Sequence, residues 1–383
     1  MTDRWNEVSL TDVRGMSVRP SRIVMQFGVM NRATGRRACA VIVVALAAIT
    51  AFAATAGQAS APTEQLLVVS SGLPSFRPVA HVYDGAGHLM STVAARSGGT
   101  SLTWSPDGSL LAVADHTGVS VERADGSGQR RLVSIKTLCT RTCLAMPAVA
   151  WTPDSKRLAI GGIDPQTTGF DLVDAGSGRI VPFRRPRANV RYVPIAFSPN
   201  GRSLAYTLSR GDFGTSSCCL TTLIVARSDG TQPRILHRFG DPIHDGPGAA
   251  TWSPDSTRIA FTDDGRASND PRLAIVYVRG SGTLHALDPR NVYDQSPAWS
   301  PDGTRLALTQ YKGPAFTISA DGTHFRSLAV NGTAALWLRN GDLLLTKGSS
   351  AHSVAILRHG YEPAHTLFTL PNHEQLLSIQ EKR

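Results

Sequence analysis

Short apolar runs separated by turn residues recur along most of the chain. In several runs a small alanine stands between two bulky residues, as in Leu-Ala-Val at 111–113, Leu-Ala-Ile at 158–160 and Ile-Ala-Phe at 259–261. This alternation places bulky and small side chains on opposite faces of an extended chain. The pattern therefore predicts many short β-strands, and the 35 glycines and 23 prolines agree with frequent turns.

One motif precedes these runs and occurs six times. It consists of an aromatic residue, Ser or Thr, Pro, and Asp or Asn, although the sixth copy keeps little more than its tryptophan. The aromatic residues are 47, 46, 55, 47 and 38 positions apart, which is the range for one four-stranded blade of a β-propeller. The motif residues are Trp104, Pro106, Asp107, Trp151, Pro153, Asp154, Phe197, Pro199, Asn200, Trp252, Pro254, Asp255, Trp299, Pro301, Asp302 and Trp337.

The chemistry of the motif predicts a tight turn between two strands. Proline presets φ at the second turn position, and the Asp or Asn side chain hydrogen-bonds the local backbone. The aromatic residue before the turn is suited to fill the gap between blades. Because the aspartate recurs in nearly every copy, we interpret it as structural rather than catalytic or metal-binding.

A second hairpin follows each motif, and a seventh hairpin stands alone. The chain has seven hairpins but only six motifs. The first hairpin, within 66–94, has no motif before it and therefore lacks an inner strand. The segment 374–380 looks like a strand but has no blade of its own. We expect this segment to supply the missing inner strand of the first hairpin. The result is a seven-bladed propeller whose ring is closed by the terminal strands, which leaves no free sheet edge. Six blades is the alternative, if the Trp337 copy merges with the first hairpin.

The repeated W-S-P-D-G-x-x-[LI]-A resembles the TolB-like propeller repeat, a relative of WD40 repeats also called PD40, over about 66–371. The resemblance implies an all-β propeller. It does not extend to the separate α/β domain that precedes the six-bladed propeller of TolB, so TolB's lipoprotein partner is not expected here. Peptidases that carry the same repeat beside a hydrolase domain use a G-x-S-x-G nucleophile, and this sequence contains none.

The longer irregular segments occupy connections that a propeller places on one face. Connections leaving a second strand and connections between blades share a face, whereas the short Pro-Asp-Gly and Asp-Gly turns lie on the other. We therefore expect binding to use the loop-rich face. Its long segments are 134–147, 209–220, 238–248, 263–271 and 288–296.

The N-terminal 61 residues have the composition of an export signal. Arg32, Arg36 and Arg37 stand shortly before the apolar run 38–56, which ends in small residues. An uncleaved anchor also fits, because 19 apolar residues can span a bilayer, but the abundance of alanine favours cleavage. In both cases we expect 62–383 to be a single extracytoplasmic propeller, either secreted, periplasmic or anchored, that touches the membrane only through the N-terminal segment.

The formal net charge of +10 changes this picture little. Basic residues form no run beyond pairs such as Arg130–Arg131, whereas nucleic-acid binding needs a concentrated basic face. We therefore expect no nucleic-acid partner.

Four cysteines lie outside the N-terminal segment, and an even number in an exported chain predicts disulfides. Cys139 and Cys143 precede the Trp151 copy, and Cys218 and Cys219 lie in an insertion of the next blade. We expect at least one bond between these two loops. A metal site of four thiolates and free thiols are the alternatives, but the spacing is not a usual zinc pattern.

No residue set predicts catalysis, a cofactor or a metal. The oxygen-rich segment with Asp263, Asp264, Asn269 and Asp270 lacks the spacing of a calcium loop. The sequence thus favours an exported, non-catalytic module that binds another envelope protein or a glycan or peptide ligand. The alternative is an enzyme of lactonase or glycan-active type, with a site at the mouth of the central channel assembled from single residues of several blades.

Overall fold

The computed structural model describes residues 66–71, 79–84, 86–94, 101–138, 147–161, 169–184, 190–211, 220–239, 247–263, 272–279, 284–287, 294–310, 314–331, 335–347, 353–357, 365–370 and 375–381. The chain divides into two compact units, 1–61 and 62–383, and every described residue belongs to the second. Within these ranges, no helix has the length and hydrophobicity needed to cross a membrane.

The strands form seven four-stranded antiparallel sheets, numbered here as blades in chain order. Blade 1 contains β1 (Leu66–Ser71), β2 (Val79–Asp84), β3 (Leu89–Ala94) and, from the other end of the chain, β28 (Gln375–Glu381). Blade 2 contains β4 (Ser101–Trp104), β5 (Leu111–Asp115), β6 (Gly118–Glu122) and β7 (Arg130–Ser134). Blade 3 contains β8 (Ala148–Trp151), β9 (Arg157–Gly161), β10 (Phe170–Asp174) and β11 (Ile180–Arg184). Blade 4 contains β12 (Val190–Phe197), β13 (Ser203–Arg210), β14 (Leu220–Arg227) and β15 (Arg234–Arg238).

The last three blades repeat this order. Blade 5 contains β16 (Pro247–Trp252), β17 (Arg258–Asp263), β18 (Arg272–Tyr277) and β19 (Leu284–Ala286). Blade 6 contains β20 (Asp294–Trp299), β21 (Arg305–Gln310), β22 (Pro314–Ser319) and β23 (Arg326–Asn331). Blade 7 contains β24 (Ala335–Trp337), β25 (Leu343–Lys347), β26 (Ser353–Leu357) and β27 (His365–Thr369). One short helix, α1 (Ile135–Leu138), follows β7, where the sequence predicted an irregular segment.

In blades 2 to 7, the first strand is the innermost strand of the blade. First strands contact the first strands of neighbouring blades, as between β4 and β8, β8 and β12, β12 and β16, β16 and β20, and β20 and β24. In blade 1 this place belongs to β28, which contacts β4 and pairs antiparallel with β1. The predicted exchange of terminal strands is therefore confirmed.

Apolar clusters between consecutive blades close the ring. Each of the seven clusters joins two neighbouring blades, and one of them joins blade 7 to blade 1. In that cluster Tyr83 of blade 1 packs with Leu338, Leu344 and Leu370 of blade 7. We call each such interface a seam. The hydrophobic core is thus spread over seven similar seams, and the prediction of seven blades is confirmed.

Glycines allow the turn between the third and fourth strands to lie against the outer strand of the preceding blade. Gly178 has φ +74°, and a Cβ there would lie 3.1 Å from the carbonyl oxygen of Leu132. Gly230 has φ +82°, and its Cβ would lie 3.1 Å from the ring of Phe183. Both the backbone conformation and the close approach therefore favour glycine at these positions.

Candidate functional surfaces

The aromatic motif residues end the first strands of blades 2 to 7, and their side chains are buried in the seams. Three tryptophans also link neighbouring blades through their indole N–H groups. Trp151 Nε1 donates to the carbonyl oxygen of Thr103 at 3.1 Å, and Trp252 Nε1 donates to that of Ala196 at 3.0 Å. Trp299 makes the same bond to Thr251 at 3.3 Å. These side chains stabilise the seams and are not exposed to a ligand.

In the turn that follows the aromatic residue, the Asp or Asn side chain accepts hydrogen bonds from other residues of the same turn. Asp107 Oδ1 accepts hydrogen bonds from Ser105 Oγ at 2.6 Å and from the backbone N–H of Ser109 at 3.0 Å. Burial raises the pKa of Asp107, but these hydrogen bonds outweigh it and hold the pKa below its ordinary value. Four further turns have the same bonds, at Asp154, Asn200, Asp255 and Asp302.

These turns define one side of the ring, the turn face. The backbone N–H of Asp107 donates to Ser155 Oγ in the next blade, and that of Asn200 donates to Ser256 Oγ, both at 3.1 Å. The connections from first to second strands are uniform in length, at five or six residues. A hydrogen bond thus joins the turns of blades 2 and 3, and another joins those of blades 4 and 5. The motif prolines lie in these turns, at Pro106, Pro153, Pro199, Pro254 and Pro301.

The opposite side, the loop face, has the longer connections. The strand bounds leave seven to nine residues in each of the connections 139–147, 211–219, 239–246, 264–271 and 287–293. Asp263 ends β17, whereas the four cysteines and the remaining candidate calcium ligands lie outside the described residues. The predicted disulfides, and the pairing between the two cysteine loops, therefore stay predictions. The cysteines concerned are Cys139, Cys143, Cys218 and Cys219.

The loop-face end of blade 4 combines positive charge with an exposed apolar side chain. Arg210 pairs with Leu220 across β13 and β14, and Arg238 pairs with Thr222 across β14 and β15. The Leu220 side chain is 58% exposed, and both arginines are exposed. Arg191 lies nearby on β12, two strands from Leu220, and burial lowers its pKa. We call Arg210, Leu220 and Arg238 the blade-4 rim.

Two carboxyl groups in the described residues have raised pKa values. Burial raises the pKa of Glu122 on β6, and a hydrogen bond from Gln129 only partly offsets this. Burial also raises the pKa of Asp171 on β10. In the described part of the chain, no group of three or more His, Cys, Asp or Glu side chains is placed to hold a metal ion. Neither raised pKa could be predicted from the sequence, because both depend on burial.

A cavity of about 420 Å³ opens on the turn face at the seam between blades 4 and 5. Blade 4 contributes Ser203, Arg227, Gln232 and Arg234 to its lining, and blade 5 contributes Arg279. We call this cavity the seam pocket. Sequence reasoning missed it, because the residues that line it come from four separate segments.

Comparisons with known proteins identify the fold but no closer relative. Neither a family model nor a curated protein matches the chain. Among solved structures, an oligogalacturonate lyase in complex with manganese is 10% identical and has a TM-score of 0.52, and the alignment covers 78% of this chain and 83% of that one. A prolyl endopeptidase is 14% identical with a TM-score of 0.52, over 84% of this chain and 52% of the other. TolB from Acinetobacter baumannii is 12% identical with a TM-score of 0.46, over 83% of each chain.

These identities are far too low to transfer an activity or a partner. The matches with TM-scores above 0.5 include enzymes, so the fold alone does not separate catalysis from binding. The two matches with TM-scores above 0.5 support the propeller architecture that the seven four-stranded sheets show. The chain therefore has the β-propeller fold, in a seven-bladed form.

Proposed function

We propose that the chain is an exported, non-catalytic β-propeller that binds a protein or other ligand of the cell envelope through its loop face. The blade-4 rim is the observation that carries this proposal. Its exposed leucine provides apolar contact area, and the flanking arginines provide donors for carboxylates. A partner with an acidic surface around an apolar residue fits this chemistry best.

The ring supports binding because it holds the loop face on a stiff base. Seven apolar seams, with hydrogen bonds between turns at two of them, hold together the blades from which the long connections emerge. A rigid base lowers the entropy lost when a partner binds. The export part of the proposal rests on the apolar run 38–56 and the arginines before it.

Site-specific photo-crosslinking in the cells that make the protein tests the binding surface. A photoreactive amino acid at position 220 should form a discrete adduct, whereas the same group at Arg179 on the turn face should not. In the position-220 protein, Arg210→Glu and Arg238→Glu should each remove the adduct, because they place negative charge beside an acidic partner. Equal adducts at both positions, or an adduct unaffected by either charge reversal, would contradict the proposal.

A reporter fused after Arg383 tests export. A reporter that is active only in the cytoplasm should stay silent in cells that make the full chain, and deletion of 38–56 should switch it on. Activity of the reporter on the intact chain would refute export. An enzyme at the channel mouth is the alternative function, and turnover of a lactone or glycan by the purified chain would favour it over binding.

A further inference from the structure

At two seams an arginine closes the turn-face end of the interface between blades. Arg258, the sixth residue after Trp252, lies over the ring of Trp299 in blade 6 at 4.7 Å and donates from Nη2 to the carbonyl oxygen of Gly303 at 2.8 Å. Arg305 occupies the corresponding position in blade 6 and lies over the ring of Trp337 at 4.6 Å. Each arginine thus covers the tryptophan of the next blade through a cation–π contact.

Blade 4 lacks the arginine at this position, as does blade 2, where the residue is Leu110. The sixth residue after Phe197 is Ser203, which has no side chain long enough to reach the tryptophan of blade 5. The seam pocket opens beside this position, and Ser203 is part of its lining. The pocket thus coincides with a short side chain at this position of the repeat.

The lining of the seam pocket is basic at its sides and apolar at its base. Arg227, Arg234 and Arg279 approach it from two blades, and the described lining residues include no carboxylate. Val225 belongs to the apolar cluster of this seam, and Val278 packs against that cluster. Three arginines therefore line the pocket around a hydrophobic floor.

One carboxylate outside the lining partly balances this charge. Hydrogen bonds from Thr231 lower the pKa of Asp229, and the charge of Arg227 lowers it further. Asp229 Oδ1 accepts from both the backbone N–H and the hydroxyl of Thr231, at 2.8 and 2.6 Å, so this carboxylate is occupied by its own turn. Among the described residues, the three arginines against this one carboxylate leave the pocket with a net positive charge.

We propose that the seam pocket binds a small organic anion, with a phosphate or carboxylate group among the arginines and its uncharged part against Val225 and Val278. Guanidinium groups present paired N–H donors that match the oxygens of both groups. A volume of about 420 Å³ exceeds what a bare inorganic ion needs and lies within the range of small-molecule sites. The site lies on the turn face, so it is independent of the loop-face surface proposed above.

Calorimetric titration of the purified chain at low salt tests this site with defined probes. Glucose 6-phosphate and galacturonate carry the two candidate groups on a sugar ring, inorganic phosphate lacks the ring, and glucose lacks the charge. We expect binding of at least one of the two charged sugars, weaker binding of inorganic phosphate, and none of glucose. The better of the charged sugars identifies the preferred group.

Three variants connect binding to the pocket. Arg227→Gln and Arg279→Gln should each weaken binding about tenfold or more, because each removes charge-assisted hydrogen bonds. Ser203→Arg should abolish binding by filling the cavity, while its melting temperature shows that the ring is intact. Arg179→Gln removes the same charge from the turn face of blade 3 and is the control.

The expected pattern is weaker binding in the three pocket variants and unchanged binding in Arg179→Gln. No binding of either charged sugar at millimolar concentration would overturn the proposal. So would an equal loss in Arg179→Gln, because that would assign the effect to surface charge in general. Neither result affects the loop-face proposal, which is tested by crosslinking at position 220.

Discussion

Glu122 breaks the apolar pattern of the seams, and replacing it should stabilise the protein. It is the last residue of β6, only 3% exposed, at a position where every other blade has an apolar or aromatic residue. Its Oε2 accepts a hydrogen bond from Gln129 Nε2 at 3.0 Å, whereas its buried Oε1 has no hydrogen-bond partner. The corresponding residues in the other blades are Tyr83, Val173, Ala226, Val276, Ile318 and Leu357.

The sign of the pH effect follows from the direction of the pKa shift. Burial raises the pKa of Glu122 above its ordinary value of 4.5. Between the two values the folded state binds more protons than the unfolded state, so stability falls as pH rises through that interval. At pH values above the pKa of Glu122 in the folded state, the buried charge lowers the free energy of unfolding by its full amount. Below about pH 4 the carboxyl is protonated in both states, and the cost disappears.

Glu122→Gln removes the charge at nearly constant shape and can still accept from Gln129. Leaving a buried polar group unsatisfied costs about 1–3 kcal/mol, and more when the group is charged. Because the amide still buries one unpaired group, we expect a gain of about 1–2 kcal/mol at pH 7. For a domain of this size each kcal/mol raises the melting temperature by about 2 °C.

The free energy of unfolding of the natural protein and of Glu122→Gln is measured by urea unfolding from pH 4 to pH 8. The gain should be largest at pH 7–8 and should vanish near pH 4. Asp302→Asn is the control of opposite sign, because turn hydrogen bonds hold the pKa of Asp302 below its ordinary value. That variant should lose stability at pH 7 and lose less at low pH. A Glu122→Gln protein that is no more stable at pH 7, or equally stabilised at pH 4, would refute the reasoning.

Three further predictions concern ring closure, the tight turns and the cysteines. Deleting 375–383 removes β28 from blade 1 and should lower the melting temperature by several degrees; an unchanged value would contradict closure by this strand. Gly230→Ala should cost more stability in urea than Gly201→Ala, because both residues have positive φ but a Cβ at 230 meets the Phe183 ring at 3.1 Å and one at 201 meets Pro153 only at 3.9 Å. Equal losses would show that backbone conformation alone decides the cost. Non-reducing tryptic mapping should give one species that joins the segment with Cys139 and Cys143 to the segment with Cys218 and Cys219, and two separate species would reject a bond between the loops.

The fold was predictable because its signal is local and repeated. The turn at Asp107 is made by residues within five positions of one another, so its chemistry can be read directly from the sequence. Ring closure was predictable for a different reason, since an unmatched hairpin and an unmatched strand have only each other to pair with. Both inferences needed only the order of residues along the chain.

The seam pocket and the buried carboxyl were not predictable in this way. Nothing in the sequence marks Ser203 as unusual. The effect of a short side chain at this position is visible only in the structure, where Arg258 and Arg305 cover the tryptophans of the next blades. Glu122 looks like an ordinary residue before a turn until the pairing with Leu111 places it in the seam with Trp104. Which face of a strand meets a neighbouring blade is a property of the assembled ring.

If arginines close the seams by covering the tryptophan of the next blade, Arg258→Ser should create an opening at the blade 5–6 seam like the one at the blade 4–5 seam. The substitution removes the cation–π contact to Trp299 and the hydrogen bond to the carbonyl oxygen of Gly303. Together these interactions are worth about 1–3 kcal/mol, since the Arg258 side chain is largely buried. Urea unfolding should show that loss, and Trp299 should become more accessible to a neutral fluorescence quencher. Ser203→Arg should show the opposite change in stability, since it adds a cover over Trp252. If Arg258→Ser unfolds at the same urea concentration as the natural protein, the arginine does not close the seam, and Ser203 no longer explains why the pocket is open.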